Sequence, residues 1–190
     1  MKLIKKLVII VLVIAGLIYF VGIPYIQKET KKFSPYKTSQ LEMANAEIEV
    51  NYSSPTKKGR VIFGELVPFC QIWRTGANEP TTFSNTKDIK IIDKSLPAGR
   101  YSLWTIPGKS SWKVIFNTKI PDWGVTRVNG NQTTHESKHD LVTVEVPVTY
   151  LENPVEELFI GFTEKEERQK EQEYFQITWD TSNILIPIFK

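Results

Sequence analysis

Leu141-Val142-Thr143-Val144-Glu145-Val146-Pro147-Val148 is the stretch that decides the fold class. Val142, Val144, Val146 and Val148 alternate with Thr143, Glu145 and Pro147. Side chains of a strand point to opposite faces in turn, so this order puts every valine on one face. A helical period of 3.6 would scatter them around the axis. The same alternation recurs at Ala46, Ile48, Val50 and Tyr52, and at Trp112, Val114 and Phe116. Further along it covers Leu158, Ile160 and Phe162, then Phe175, Ile177 and Trp179, then Ile184, Ile186 and Ile188. Strands are also expected at 80–85, 88–93 and 99–106. Turn signals separate them at Leu96-Pro97-Ala98-Gly99, Pro107-Gly108, Asn129-Gly130 and Asn153-Pro154. About nine short strands with no convincing helix among them predict an all-β domain, an antiparallel β-sandwich over 45–190. The charged run at 164–173 (EKEERQKEQE) and the polar run at 125–139 read as solvated connections.

The other end of the chain reads differently. Leu7 to Ile23 holds 17 residues without a charge, LVIIVLVIAGLIYFVGI. Lys2, Lys5 and Lys6 precede it, and Lys28, Lys31 and Lys32 follow. A helix over 7–26 would cover roughly 30 Å, the thickness of a hydrocarbon core. A cleaved signal peptide needs a shorter apolar core and small residues at its end. Here the run ends in the bulky Ile23-Pro24-Tyr25-Ile26. The better reading is one uncleaved N-terminal transmembrane helix at 7–26, with 1–6 in the cytoplasm and 27–44 a tether or lead-in strand. Flanking lysines are balanced and do not set orientation. A short cationic N-terminus ordinarily stays inside, so residues 27–190 are expected outside the cytoplasm. The bilayer is the first partner implied.

Charge and cysteine content exclude several classes. Residues 1–32 carry six lysines and one glutamate, while the rest carries 18 basic and 20 acidic residues. The high pI therefore belongs to the N-terminal segment, and no basic stripe argues for nucleic acid. Cys70 is the single cysteine, so no intramolecular disulfide exists. A small buried apolar residue is the expected role for it. No cofactor is implied: G-x-G-x-x-G, the Walker loop and G-x-S-x-G are all missing.

Three groups of residues are candidates for chemistry. His135-Glu136-Ser137-Lys138-His139 matches H-E-x-x-H, in which two histidines one helical turn apart bind zinc and the glutamate activates water. That chemistry needs a helix, and the flanking NGNQTT and LVTVEVPV deny one, so a solvated loop is expected. The run 53–83 is richer in site-building groups: Arg60, Arg74, Asn78 and Glu79, with glycines between them. Arg74 offers a planar fork to a carboxylate or phosphate, with amide and acid contacts beside it. The alternative is that Arg60 and Arg74 pair with Glu65, Glu79 or Asp88 to brace a long connection. Among five tryptophans, Trp112 and Trp179 fall on apolar phases and belong to the core, and Trp104 is ambiguous. Trp123, in the turn Pro121-Asp122-Trp123-Gly124, is the best ligand-facing ring, able to stack on a sugar.

The chain resembles the bacterial family catalogued as domain of unknown function 2911. The resemblance is carried by Tyr52–Pro55, by Lys58–Gly64 (KGRVIFG), and by Leu66-Val67-Pro68 with Trp73–Glu79 (WRTGANE). It continues through Leu96–Gly99, Tyr101–Gly108 (YSLWTIPG), Trp112–Asn117, Trp123-Gly124 and Trp179-Asp180, spanning about 45–187. It implies an exported, β-rich domain of the cell envelope, and no reaction, ligand or catalytic residue. Family members usually begin with a cleavable or lipoprotein signal, whereas this chain is expected to keep its apolar run, and the H-E-x-x-H is outside the family pattern. The expected function is an outward-facing binding or interaction module for a small molecule, glycan or envelope protein, with Arg60, Arg74, Asn78, Glu79 and Trp123 as its ligand face. An envelope hydrolase acting on carbohydrate or peptide is the second reading, and a purely structural partner in an envelope complex the third.

Overall fold

A computed structural model describes residues 2–43, 46–126, 132–163 and 173–189. The chain divides into two units, Met1–Phe33 and Ser34–Lys190. In the first, α1 (Lys2–Leu17), a π-helical turn (Ile18–Gly22) and α2 (Ile23–Lys31) run on as one apolar helix. Its 29 residues from Leu3 to Lys31 are long and apolar enough to cross a membrane. Pro24 explains the π turn. Proline has no N–H and its ring crowds the carbonyl four residues back, so a regular α-turn cannot pass through it. The wider turn, in which the Ile23 N–H donates to the Ile18 carbonyl, relieves that crowding just before Pro24.

The second unit is an antiparallel β-sandwich. Its strands are β1 (Tyr36–Met43), β2 (Ala46–Ser53), β3 (Thr81–Asn85), β4 (Ile89–Ile91), β5 (Lys94–Leu96), β6 (Gly99–Ile106), β7 (Ser111–Asn117), β8 (Asp140–Pro147), β9 (Thr149–Phe162) and β10 (Glu173–Phe189). One sheet has the order β1-β2-β3-β6-β7-β8 and the other β5-β4-β10-β9. The alternating residues of the sequence meet between them: Val50, Phe83, Val114 and Phe116 from one sheet, and Leu158, Ile160, Phe175 and Ile186 from the other, all fully buried. Phe83 joins the layers, 5.1 Å edge-on from Phe116 and 5.4 Å from Phe175.

Several boundaries differ from expectation for identifiable reasons. Tyr36–Met43, within the stretch read as tether or lead-in strand, pairs with β2 along its whole length. It lies at a sheet edge and buries only Leu41 and Met43, so its apolar signal is weak. Asn153-Pro154 is not a turn; it lies inside β9. A proline cannot donate to a ladder, but β9 is an edge strand, where this costs nothing. The two expected strands at 175–179 and 184–188 form the single β10, whose ladder is irregular about Asp180, a residue with φ of +53°. The charged run at 164–172 lies outside the described residues, and Glu173 opens β10.

The long connection between β2 and β3 closes one end of the sandwich. It is first tied to the four-stranded sheet. Ser54 Oγ donates to the Leu158 carbonyl (2.6 Å), Thr56 bridges Glu157, and Lys57 pairs with Asp180. It then crosses to the other sheet, where the Cys70 N–H donates to the Pro107 carbonyl (2.8 Å) and Trp73 bridges Thr105. Trp73 caps an aromatic cluster. It stacks on Trp179 at 6.1 Å and meets Trp112 and Phe63 edge-on at 6.2 and 5.9 Å. Such pairs contribute about 0.5–1.5 kcal/mol each beyond the area they bury.

Candidate functional site

Trp73 and Arg74 are neighbours with opposite destinations. The Trp73–Thr105 bridge directs the indole into the core, so extended geometry sends the next side chain outward. The loop then turns back through Thr75 and Asn78, whose φ values are +56° and +59°. A β-branched residue in the left-handed region is strained and persists only where surrounding contacts impose it. Here Thr75 is fully buried, its hydroxyl donates to Thr105 Oγ1 (3.1 Å), and its carbonyl accepts from Thr81 Oγ1 (2.5 Å).

Arg74 forms the centre of two adjoining clefts. The first, about 460 Å³, is lined by Gln71, Ile72, Gly124, Val125, Gln132 and Thr133 with Trp73 and Arg74. The second, about 310 Å³, shares Gln71, Ile72, Trp73, Arg74 and Val125 and adds Leu66, Val67 and Pro68. Gly124 fixes the arginine stem. A β-carbon there would lie 2.1 Å from Arg74 Cδ, so only glycine lets this turn close over it. The turn is held by the Gly124 N–H donating to the Asn78 carbonyl (3.1 Å) and by Thr134 N–H donating to the Gly124 carbonyl (3.2 Å).

Arg74 is half-buried and its charge is uncompensated. Its Nε is enclosed and meets no hydrogen-bond acceptor, and among the described residues no carboxylate pairs with the guanidinium. Burial alone pushes its pKa down, with no neighbouring charge to oppose it. An arginine still stays protonated near neutral pH, so the cleft holds a positive charge. Buried charges are normally paired, because their lost hydration is costly.

The other expected site residues take different places. Asn78 is buried and its amide donates to Ser53 Oγ (3.4 Å), which holds the loop to β2. Glu79 is half-buried and has interactions of its own. Trp123 is half-buried, and its carbonyl accepts from Thr134 Oγ1 (2.7 Å) in the turn that delivers Gly124. Arg60 lines neither cleft. Its guanidinium donates to the Lys57 and Thr56 carbonyls (2.9 and 2.5 Å) and closes its own turn. Cys70 is exposed with φ of +59°, not a buried apolar residue, because the crossing to Pro107 turns it outward. Leu66, Ile72, Val125 and Gly124 were not singled out as site residues by the sequence. The available signal was the pairing of an inward Trp73 with an outward Arg74, opposite a turn ending in glycine.

The H-E-x-x-H segment forms no α-helix, and of its side chains His135 turns inward while Lys138 stays 73% exposed. Ser137–His139 is one 3-10 turn. The His135 side chain is 10% exposed, its ring N–H donates to Asp140 Oδ1 (2.7 Å), and its face meets Trp104 edge-on at 5.4 Å. Asn117 donates to the same Asp140 oxygen (2.7 Å) and to the Glu136 carbonyl (2.9 Å). Trp104 is thereby buried outside the main core, beneath this loop, with its indole donating to Ser102 Oγ (2.8 Å). Hydrogen bonds from Lys119 and Lys138 hold the Glu136 carboxyl down at about 2. Among the described residues no group of three or more His, Cys, Asp or Glu is placed to hold a metal ion. Residues 127–131, including Asn129-Gly130, lie outside the described residues.

No curated protein and no solved structure matches the chain. One family model does, over residues 34–188, from the first residue of the β-sandwich unit almost to its last, so that β1 is included as well as the motifs around Arg74. Its coverage of nearly the whole domain means that the chain belongs to the DUF2911 family, proteins of unknown function.

Proposed function

We propose that this chain is a membrane-anchored binding module whose β-sandwich lies outside the cytoplasm and captures a small anionic ligand at Arg74. The observation that carries the reading is the half-buried guanidinium, unpaired with any carboxylate among the described residues, at the meeting of two clefts. An anion entering there supplies the counter-charge. The strained Thr75–Asn78 turn and the Gly124 contact hold the arginine in one position before the ligand arrives, which lowers the entropic cost of binding.

Anchoring is supported by the helix Leu3–Lys31, whose apolar side chains are exposed along its length, Leu12 by 66% and Phe20 by 75%. A contiguous apolar surface of this kind has a lipid environment as its natural solvent. The outward orientation follows from the short cationic N-terminus. A hydrolase would need a carboxylate with a raised pKa beside the arginine. Among the described residues no carboxylate lines either cleft. Binding is therefore the reading we put forward.

The test is a panel of small anions against the full-length protein and its Arg74→Ala variant, read by thermal shift. Stabilisation that disappears in the variant supports the module, and a panel with no Arg74-dependent member contradicts it. A reporter fused after residue 190 tests the orientation. Activity outside the cytoplasm is expected, and activity in the cytosol overturns that part of the reading.

A further inference from the structure

We infer that the ligand of the Arg74 cleft is a monocarboxylate with an apolar body. This rests on the reading of Arg74 as an anion site and adds the chemistry of the anion. Charge comes first. Arg74 is the one ionisable side chain that lines either cleft, with no lysine, histidine, aspartate or glutamate beside it among the described residues. A single negative charge neutralises the space. A phosphate monoester, carrying nearly two charges at neutral pH, would leave an excess charge in a partly enclosed site lined by no second cation among the described residues.

Shape gives the same answer. The guanidinium is a planar fork, and a planar carboxylate accepts from its two terminal nitrogens in parallel. The walls then ask for an apolar body. Leu66, Val67, Pro68, Ile72 and Val125 face the smaller cleft, and Leu66 is left 47% exposed at its rim. The two clefts, about 310 and 460 Å³, are in the range that receives small molecules. In the larger cleft Gln71, Gln132 and Thr133 supply amide and hydroxyl groups. They can hydrogen-bond a neutral polar substituent or water without adding charge. A ligand with a carboxylate at Arg74 and a ring or short chain along Leu66 and Val125 satisfies every part of this lining.

The experiment uses full-length protein in nanodiscs, with empty nanodiscs subtracted, and isothermal titration at pH 7.5. The probes are 3-phenylpropionate, its amide, acetate and 2-phenylethylphosphonate. The expected result is that 3-phenylpropionate binds and that the amide and acetate each bind at least tenfold more weakly. Arg74→Ala should cost at least tenfold, with folding checked by the tryptophan emission of the domain. Leu66→Asp alters an exposed rim position, so the fold survives it. It should weaken 3-phenylpropionate at least threefold while leaving the melting transition in place. If the phosphonate binds more tightly than the carboxylate and depends on Arg74, the monocarboxylate is overturned and the anion site stands. If acetate equals 3-phenylpropionate, the apolar body is overturned. If no probe depends on Arg74, this inference and the anion-site reading fall together.

Discussion

Among the described residues, two long irregular connections, 54–80 and 118–139, are dense in polar side chains. They meet where Gly124 closes over the Arg74 stem. In 118–139 the polar groups answer one another: His135 meets Asp140, Asn117 meets Asp140 and the Glu136 carbonyl, and Lys119 meets Glu136. The loop seals Trp104 against the sheet and leaves its titratable pairs satisfied. In 54–80, Arg60 and Lys57 are likewise satisfied, but Arg74 is enclosed with Nε unanswered. The connection that looked like an enzyme motif is internally complete, whereas the one without a known motif holds an open valence. A polar cluster that closes on itself needs nothing more, and a buried charge left open is costly unless something else binds it.

This contrast can be sharpened by measurement, beginning where the effect is largest. Trp179 stacks on Trp73 and anchors the crossing of the 54–80 connection. Trp179→Ala should destabilise the domain by about 3–5 kcal/mol. Urea unfolding, followed by the four remaining tryptophans, all of which lie in the β-domain, checks this. A loss under about 1 kcal/mol would mean that the cluster does not hold the loop.

His135→Ala comes next. It strips Asp140 of one donor and uncovers Trp104, so a loss of about 1–3 kcal/mol is expected. A chelator should leave the wild-type melting temperature unchanged, and metal analysis should find no stoichiometric zinc. A melting point lowered by chelation would restore the metal reading of His135, Glu136 and His139. Gly124→Ala probes the place where the two connections meet. The added methyl must displace the Arg74 stem, which is flexible, so stability should fall by only about 1 kcal/mol. Binding of 3-phenylpropionate should nevertheless fall about tenfold, because the fork is moved while its charge is kept. Unchanged affinity would remove the claim that Gly124 positions Arg74.

The smallest effect concerns Glu136. Its carboxyl sits at about 2 in the folded protein against an ordinary 4.5, through hydrogen bonds from Lys119 and Lys138. A lowered carboxylate contributes stability that is present above its ordinary value and is lost as the pH falls through about 2. Glu136→Gln should therefore flatten the dependence of melting temperature on pH between 4.5 and 2, and change little at neutral pH. An equally steep dependence in the variant would place the acid sensitivity elsewhere.

Much of the fold was legible. Period-2 alternation found the core strands because each has one face fully buried, as in Val142, Val144 and Val146. It left β1 open between a tether and a lead-in strand, because an edge strand with two buried residues has little alternation to read. It misplaced a turn at Asn153-Pro154 because a proline's meaning depends on whether its strand is an edge, which is a property of the sheet. The ambiguity of Trp104 had a similar cause, since its cover comes from a loop more than twenty residues away. In the site, Arg74 was legible as a fork beside Trp73. Its separation from Arg60 was not, because hydrogen bonds to Lys57 and Thr56 consume one guanidinium and not the other. Nor was the apolar wall, whose Leu66 and Val125 come from different connections.

The central claim is that Arg74 is kept for a ligand and against the interest of stability. The most direct test compares the unfolding free energy of Arg74→Met with that of wild type, both without ligand, in full-length protein. Replacing a half-buried, uncompensated charge by an apolar chain of similar length should leave stability unchanged or raise it by about 1 kcal/mol. A loss of about 2 kcal/mol or more would show that Arg74 braces the fold and would contradict the account.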